Sequence, residues 1–146
     1  IWYFFNYKNL EFKIKNLIYV SKPIGFNEKN INNILEISNT NNKKNKITGC
    51  LIYRFDLYFQ FLEGPQKELE FTYKKILCDK RHTEIYKLGE NSTKRRLFAN
   101  WAMRGDPLIT SMWTSEDVNN GVVKKLKSTE ASKLFEKISR EIDQFN

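Results

Sequence analysis

Gln60 lies between Phe59 and Phe61 in the run Tyr58-Phe59-Gln60-Phe61-Leu62. An amide in such company must find partners for two donors and two acceptors. Strand alternation turns Gln60 to one face and its phenylalanine flanks to the other. Two readings are open. Gln60 is an ordinary buried amide tied to the backbone, or its partners are a bound group and a neighbouring tyrosine. In the second case it suits a switch, because rotating the amide exchanges a donor for an acceptor at nearly the same place. Tyr19, in Leu17-Ile18-Tyr19-Val20, reads plainly as core. Its chemical value is redox. A phenol that loses an electron becomes strongly acidic, so it can release an electron and then a proton along a hydrogen bond, with no metal or general base.

Other polar residues also admit two readings. Asn41 and Asn42 sit in a stretch where asparagine is common, so composition alone accounts for them. An amide can also pair with the donor–acceptor edge of a flat heterocycle, as Asn pairs with adenine. His82 is the single histidine, and beside Arg81 it reads as surface. Alternatively His82, Arg81 and Lys75 meet a ligand, with the cations serving a phosphate. Arg95 and Arg96 read as solvated surface. Ile34 and Ile76 are helix-face residues that would be core in any fold. No catalytic triad, phosphate-binding loop, dinucleotide fingerprint or zinc spacing is present, so no catalytic residues and no metal ligands are assigned.

These residues need elements to position them. Leu17–Val20 is a short β-branched and aromatic run ended by Ser21-Lys22-Pro23, which predicts a buried strand. Asn27 and Glu28 signal a helix start, with Ile31, Ile34, Leu35 and Ser38 at helical spacing. Residues 39–46 read as a loop. Ile47–Tyr53 and Tyr58–Leu62 read as strands of an antiparallel hairpin turning at residues 54–57. Leu69, Tyr73, Ile76 and Leu77 mark one face of a second helix. Residues 79–83 read as a connector, and residues 84–88 and 97–103 as two further strands. The order β-α-β-β-α-β-β predicts an α+β, ferredoxin-like mixed sheet with two helices on one face. Ala131, Leu134, Phe135, Ile138 and Ile142 form an apolar stripe, with a weaker one at Val118, Val122 and Leu126. This C-terminal helical tail is expected to cover the other face.

The chain has 146 residues, enough for one core, with 40% hydrophobic and 29% charged residues, a soluble globular mixture. A net charge of +8 admits anionic partners. Cys50 and Cys78 have no metal-ligand spacing and read as buried free thiols in a reducing cytoplasm. No run approaches the roughly 20 apolar residues of a membrane helix. The opening Ile1-Trp2-Tyr3-Phe4-Phe5 is too short and lacks the layout of a signal peptide. The absence of an initial Met leaves a longer parent protein open.

Six segments share one further pattern. They are Leu17-Ile18-Tyr19-Val20-Ser21, residues 41–49 ending in Ile47-Thr48-Gly49, Phe59-Gln60-Phe61-Leu62-Glu63-Gly64, Tyr73-Lys74-Lys75-Ile76, Asp79-Lys80-Arg81-His82, and Arg96-Leu97-Phe98 with Trp101-Ala102-Met103. In this order and spacing, over residues 16 to 105, the chain resembles the BLUF family, whose members sense blue light using FAD. The resemblance implies a flavin ring held between the two helices, edge-on to the sheet. It implies that Tyr19 and Gln60 stand beside the ring, with Trp101 and Met103 as the switching residues of the last strand. It assigns flavin contacts to Asn42, with Asn41 secondary, and to Lys75, Asp79, Arg81 and His82. Ile34 and Ile76 would clamp the two faces of the ring. The family often has Arg where Lys75 stands, and a lysine lacks the planar fork for a bidentate contact.

The division that follows is an N-terminal extension over residues 1–15, a flavin-binding core over 16–105 and a helical tail over 106–146. The chain ends soon after the photosensory segment, so a cyclase or phosphodiesterase domain is not expected. Expected partners are a flavin (FAD, with FMN and riboflavin open), a second copy of the chain and a downstream protein, in the cytoplasm and without a membrane. Two alternatives compete with the sensor. One is an RNA-recognition-like module using basic charge and sheet aromatics. The other is a small dimeric enzyme of the same fold without a cofactor.

Overall fold

The computed structural model describes residues 14–105 and 108–145; most of the N-terminal extension therefore lies outside the described residues. The elements are β1 (Ile14–Pro23), α1 (Glu28–Asn45), β2 (Thr48–Arg54), β3 (Leu57–Pro65), α2 (Gln66–Leu77), β4 (His82–Thr93) and β5 (Trp101–Arg104). The tail then forms α3 (Leu108–Met112), α4 (Ser115–Asn119), a 3-10 turn (Val123–Lys125) and α5 (Ser128–Phe145). The sheet order is β4-β1-β3-β2-β5. β1 and β3 pair antiparallel at its centre, and β5 adds to β2 in parallel. This is the expected β-α-β-β-α-β-β plan.

Strand alternation divides the sheet into two chemically different faces. Leu17, Tyr19, Tyr58, Leu62 and Leu51 point to the side of α1 and α2. Ile18, Val20, Cys50, Ile52, Phe59 and Phe61 point to the other side, against Ala131, Phe135 and Ile138 of α5. The Phe135 ring meets Phe59 at 4.9 Å and Phe61 at 5.4 Å between centroids. The tail thus covers the second face as its stripe predicts. Arg54, at the end of β2, bonds Asp56 in the hairpin turn at 2.6 and 2.8 Å and donates to the Trp113 carbonyl at 2.9 Å, fastening the tail to the hairpin.

Several expectations need correction. Residues 39–45 are not a loop: α1 runs to Asn45 and stops at Lys46, whose φ of 61° ends the helix. Poor asparagine propensity is a weak prior, and Lys43 and Lys44 in the last turn suit the negative end of the helix dipole. The last strand starts at Trp101, not Leu97, because the Leu97 and Phe98 amides donate to the Glu63 carboxylate instead of to a strand. β4 is longer than predicted and takes in His82 and Thr83. In the tail, Val123 is buried and Val122 exposed; on α2, Leu77 is exposed and Thr72 is buried. Cys50 is buried but Cys78 is exposed, and burial pushes the Cys50 thiol up to about 12.

Phe135→Ala should cost about 3–5 kcal/mol by opening a cavity beneath Phe59 and Phe61. Denaturant unfolding measures this. A loss below about 1 kcal/mol, the scale of an average substitution, would show that the tail does not brace the sheet.

Candidate functional site

The site begins with one register. On the helix face, Tyr19 of β1 stands opposite Gln60 of β3, Gln60 opposite Leu51 of β2, and Leu51 opposite Met103 of β5. The pairing of β1 with β4 slips between Ile18 and Tyr19, so a bulge adjoins Tyr19. Bulges re-aim side chains beside functional sites. The Tyr19 hydroxyl donates to Oε1 of Gln60. Gln60 is 7% exposed. Burial pushes the Tyr19 phenol far above its ordinary value, with Tyr73 next in effect, so it stays protonated at any physiological pH. The carbonyl end of the amide is committed to Tyr19, and its Nε2 therefore points away from the phenol.

Above this pair, between α1 and α2, lies a cavity of about 240 Å³. Ile34 on α1 and Ile76 on α2 supply apolar walls, and Lys75, Asp79, Arg81 and His82 gather at one end. Arg81 Nε donates to the Asp79 carboxylate at 2.9 Å. Burial of Asp79 opposes its ionisation, but the hydrogen bonds and charge of Arg81 outweigh it and hold the carboxyl below the usual range. The Lys75 ammonium lies 4.6 Å over the ring of Phe71, one turn earlier on α2.

His82 is not a surface residue: it is 8% exposed. Its Nε2 lies 2.8 Å from the Ile76 carbonyl, which can only accept, so Nε2 carries the proton. In the neutral ring Nδ1 then accepts from the Ser21 hydroxyl at 2.7 Å. His82 thereby ties β1 to the end of α2 beside the cavity. Its ring also packs edge-on to Tyr19, with centroids 6.2 Å apart.

Eight of the expected site residues therefore meet at one cavity: Tyr19, Ile34, Gln60, Lys75, Ile76, Asp79, Arg81 and His82. Positions 41 and 42 lie in the last turns of α1, and their side chains lie outside the described residues. Trp101 and Met103 are on the correct face but not on the strand next to Gln60, because β2 intervenes. Met103 packs against the cluster of Ile31, Leu51 and Tyr58, so Leu51 is the link between Gln60 and Met103. Trp101 pairs with Gly49, where an added Cβ would stand 2.0 Å from the Phe61 carbonyl oxygen. The indole packs on the clusters holding both Leu62 and Leu51. Its Nε1 is buried with no partner.

Sequence reasoning missed three features. Asn45 lines the cavity with Ile34 and Ser38, a helical spacing that a predicted loop concealed. Thr72 lines the cavity too, and its Oγ1 is buried without a partner. Glu63 is 0% exposed, accepting from the Leu97 and Phe98 amides at 2.7 and 2.8 Å and from Thr48 at 2.9 Å. Arg96, read as surface, donates to the Thr48 hydroxyl at 2.8 Å and the Lys46 carbonyl at 2.7 Å. Together they hold the segment entering β5 against the end of β3. The available signal was an acid in an otherwise apolar strand, on the face opposite Gln60. Among the described residues, no cluster of potential metal ligands occurs.

The site is an α+β frame with a phenol–amide pair on the floor of a cation-rimmed cavity. The same frame occurs in the dark state of BlrB, a BLUF protein, at a TM-score of 0.74 over 90% of this chain and 98% of that one; at 22% identity this likeness concerns the fold alone. A bacterial light-regulated adenylyl cyclase shares 32% identity at a TM-score of 0.66, over 85% of this chain and 39% of that one. The blue light- and temperature-regulated antirepressor BluF of Escherichia coli is 35% identical over 51% of this chain and 19% of its own length. The photoactivated adenylate cyclase subunit alpha of Euglena gracilis is 27% identical over 64% of this chain, which spans 10% of that relative. Residues 14–104 match the family model for sensors of blue-light using FAD, and the chain belongs to that family, BLUF.

The raised Tyr19 pKa has a stability consequence. The folded state keeps the phenol proton above the unfolded value of about 10. Tyr19 thus contributes fully below pH 10 and loses its contribution as pH rises beyond that. Wild-type stability should therefore fall more steeply above about pH 10 than that of Tyr19→Phe, by up to about 1.4 kcal/mol per pH unit. Parallel denaturant titrations at rising pH should show the two curves converging; parallel curves would mean that the phenol ionises freely in the fold.

Proposed function

We propose that Tyr19 and Gln60 form the photoactive switch of this chain, with FAD held between α1 and α2. The observation that carries the reading is the buried Tyr19–Gln60 hydrogen bond on the cavity floor. The residues present fit a flavin. Ile34 and Ile76 offer apolar surface to a flat ring, Thr72 has a buried hydroxyl without a partner, and Lys75 and Arg81 supply cations for a phosphate. Asn41 and Asn42 remain proposed contacts from α1, and Asp79 and His82 hold Arg81 and the end of α2 in place.

A bound flavin would supply blue-light absorption and, once excited, a one-electron oxidant beside Tyr19. Tyr19 would give its electron to that oxidant, and its phenolic proton would leave along the hydrogen bond to Gln60 Oε1. Both return, so the net chemistry is zero and another change must keep the record of the photon. Gln60 is suited to keep it. Rotation or tautomerisation presents a donor where the dark state had an acceptor, and one neutral hydrogen bond is worth about 1 kcal/mol net. A difference of a few kcal/mol lets the dark state recover.

Two routes lead from Gln60. On the helix face, Leu51 passes the change to Met103 and Ile34, with Trp101 beside them. On the tail face, Phe59 and Phe61 flank Gln60 in the same strand and press on Phe135. We assign output to the tail, acting through a protein partner or a change in assembly, and we read the chain as a cytoplasmic sensor and not an enzyme. No described helix is long and apolar enough to cross a membrane. The RNA-binding alternative gains no support, because Phe59 and Phe61 are buried and offer no platform for bases.

Tyr19→Phe should keep its yellow colour and lose the light-induced red shift; a normal shift would remove Tyr19 as electron donor. Gln60→Leu keeps the approximate size but removes every donor and acceptor. It should retain flavin and its photochemistry, yet form neither the red-shifted state nor the downshifted flavin carbonyl band in infrared difference spectra. Either feature surviving in Gln60→Leu would show that the amide is not the memory.

A further inference from the structure

The cavity does not account for a whole dinucleotide. At about 240 Å³ it falls below the range of about 300–1,000 Å³ in which pockets enclose most of a drug-sized ligand. A flavin ring seated between Ile34 and Ile76 must send its phosphate-bearing chain outward. Lys75 stands at that edge, since it lines the cavity and also reaches over Phe71. Phe71 itself does not line the cavity and packs into no core cluster. It is 52% exposed, among the large apolar side chains left open in the described residues. No fold requirement explains an aromatic ring there, because α2 already buries Leu69 and Thr72 and packs Tyr73 and Ile76 on its inner face.

We propose that Phe71 is a stacking shelf for the adenine of the dinucleotide, with Lys75 placed between ring pocket and shelf to meet the diphosphate. The inference rests on the flavin reading above and deepens it: it makes the chain select FAD over FMN. The chemistry is ordinary. Bases stack on exposed aromatic rings without hydrogen-bond readout, and an ammonium serves a diphosphate as a point charge. The same cation stays within reach of the Phe71 ring, where it favours the aromatic face. Ile37 on α1, exposed at the cavity mouth, adds apolar surface on the opposite side of the opening.

The test compares riboflavin, FMN and FAD binding to apoprotein by flavin fluorescence quenching, in wild type, Phe71→Ala, Phe71→Trp and Lys75→Ala. Wild type should bind FAD about fivefold or more tighter than FMN, the lower end of base stacking. Phe71→Ala should bring the two within about twofold of each other and leave riboflavin affinity in place, while Phe71→Trp should restore the preference for FAD. Lys75→Ala should weaken FMN and FAD together relative to riboflavin. Equal FAD and FMN affinity in wild type, or a preference that survives Phe71→Ala, would overturn the shelf. Failure of all three flavins to bind wild type would instead overturn the flavin reading itself. Melting temperatures with and without each ligand check that every variant is folded.

Discussion

The hydrogen bond from Tyr19 to Gln60 joins the two central strands on the face that α1 and α2 cover, and much of the architecture serves to keep it there. A buried amide and a buried phenol are costly unless they satisfy each other. The register of β1 on β3 sets them opposite, and a one-residue slip would part them, turning one of the two to the tail side, among phenylalanines. The register is guarded from both ends. His82 bridges Ser21 of β1 and the end of α2, while Glu63 holds the approach to β5 against the far end of β3.

The central strand is therefore a two-sided device. Its even positions, Tyr58, Gln60 and Leu62, face a polar-edged cavity, and its odd positions, Phe59 and Phe61, face a dry aromatic contact with the tail. Close-packed interiors transmit small displacements because they cannot deform continuously. A change at Gln60 is thus one peptide away from the tail, whereas the path through Leu51 to Met103 crosses two strand pairings. The strand carrying the amide is the shorter mechanical path, and the last strand is the longer one.

The cavity's polarity is arranged in sequence along its walls. Apolar surface from Ile34, Ile76 and Leu62 lies over the sheet, and charge is confined to the end where Asp79 and Arg81 pair with each other. Because Asp79 neutralises much of Arg81, Lys75 is the more available cation for an anion at the mouth. A lysine is adequate there, since a flexible point charge can follow a phosphate without the fixed geometry a guanidinium would impose.

Much of this was legible along the chain. Period-2 runs around Tyr19 and Gln60, the helix stripe of Ile34 and Ser38, and the stripe of Ala131, Phe135 and Ile138 are local patterns, and local patterns determine which side of each element is apolar. The six ordered motifs carried the family and most of the site. What only the tertiary structure decided were the matters set by distant partners. Glu63 captured the Leu97 and Phe98 amides from 34 and 35 residues away in the chain and so delayed β5 to Trp101. The crossover between β1 and β2 kept an asparagine-rich segment helical against its propensity. The sheet order placed β2 between Gln60 and Met103, and the pairing of Ser21 with His82 turned an apparent surface histidine inward. Each depends on contacts between residues remote in sequence, and spacing along a chain carries no information about which remote groups will meet.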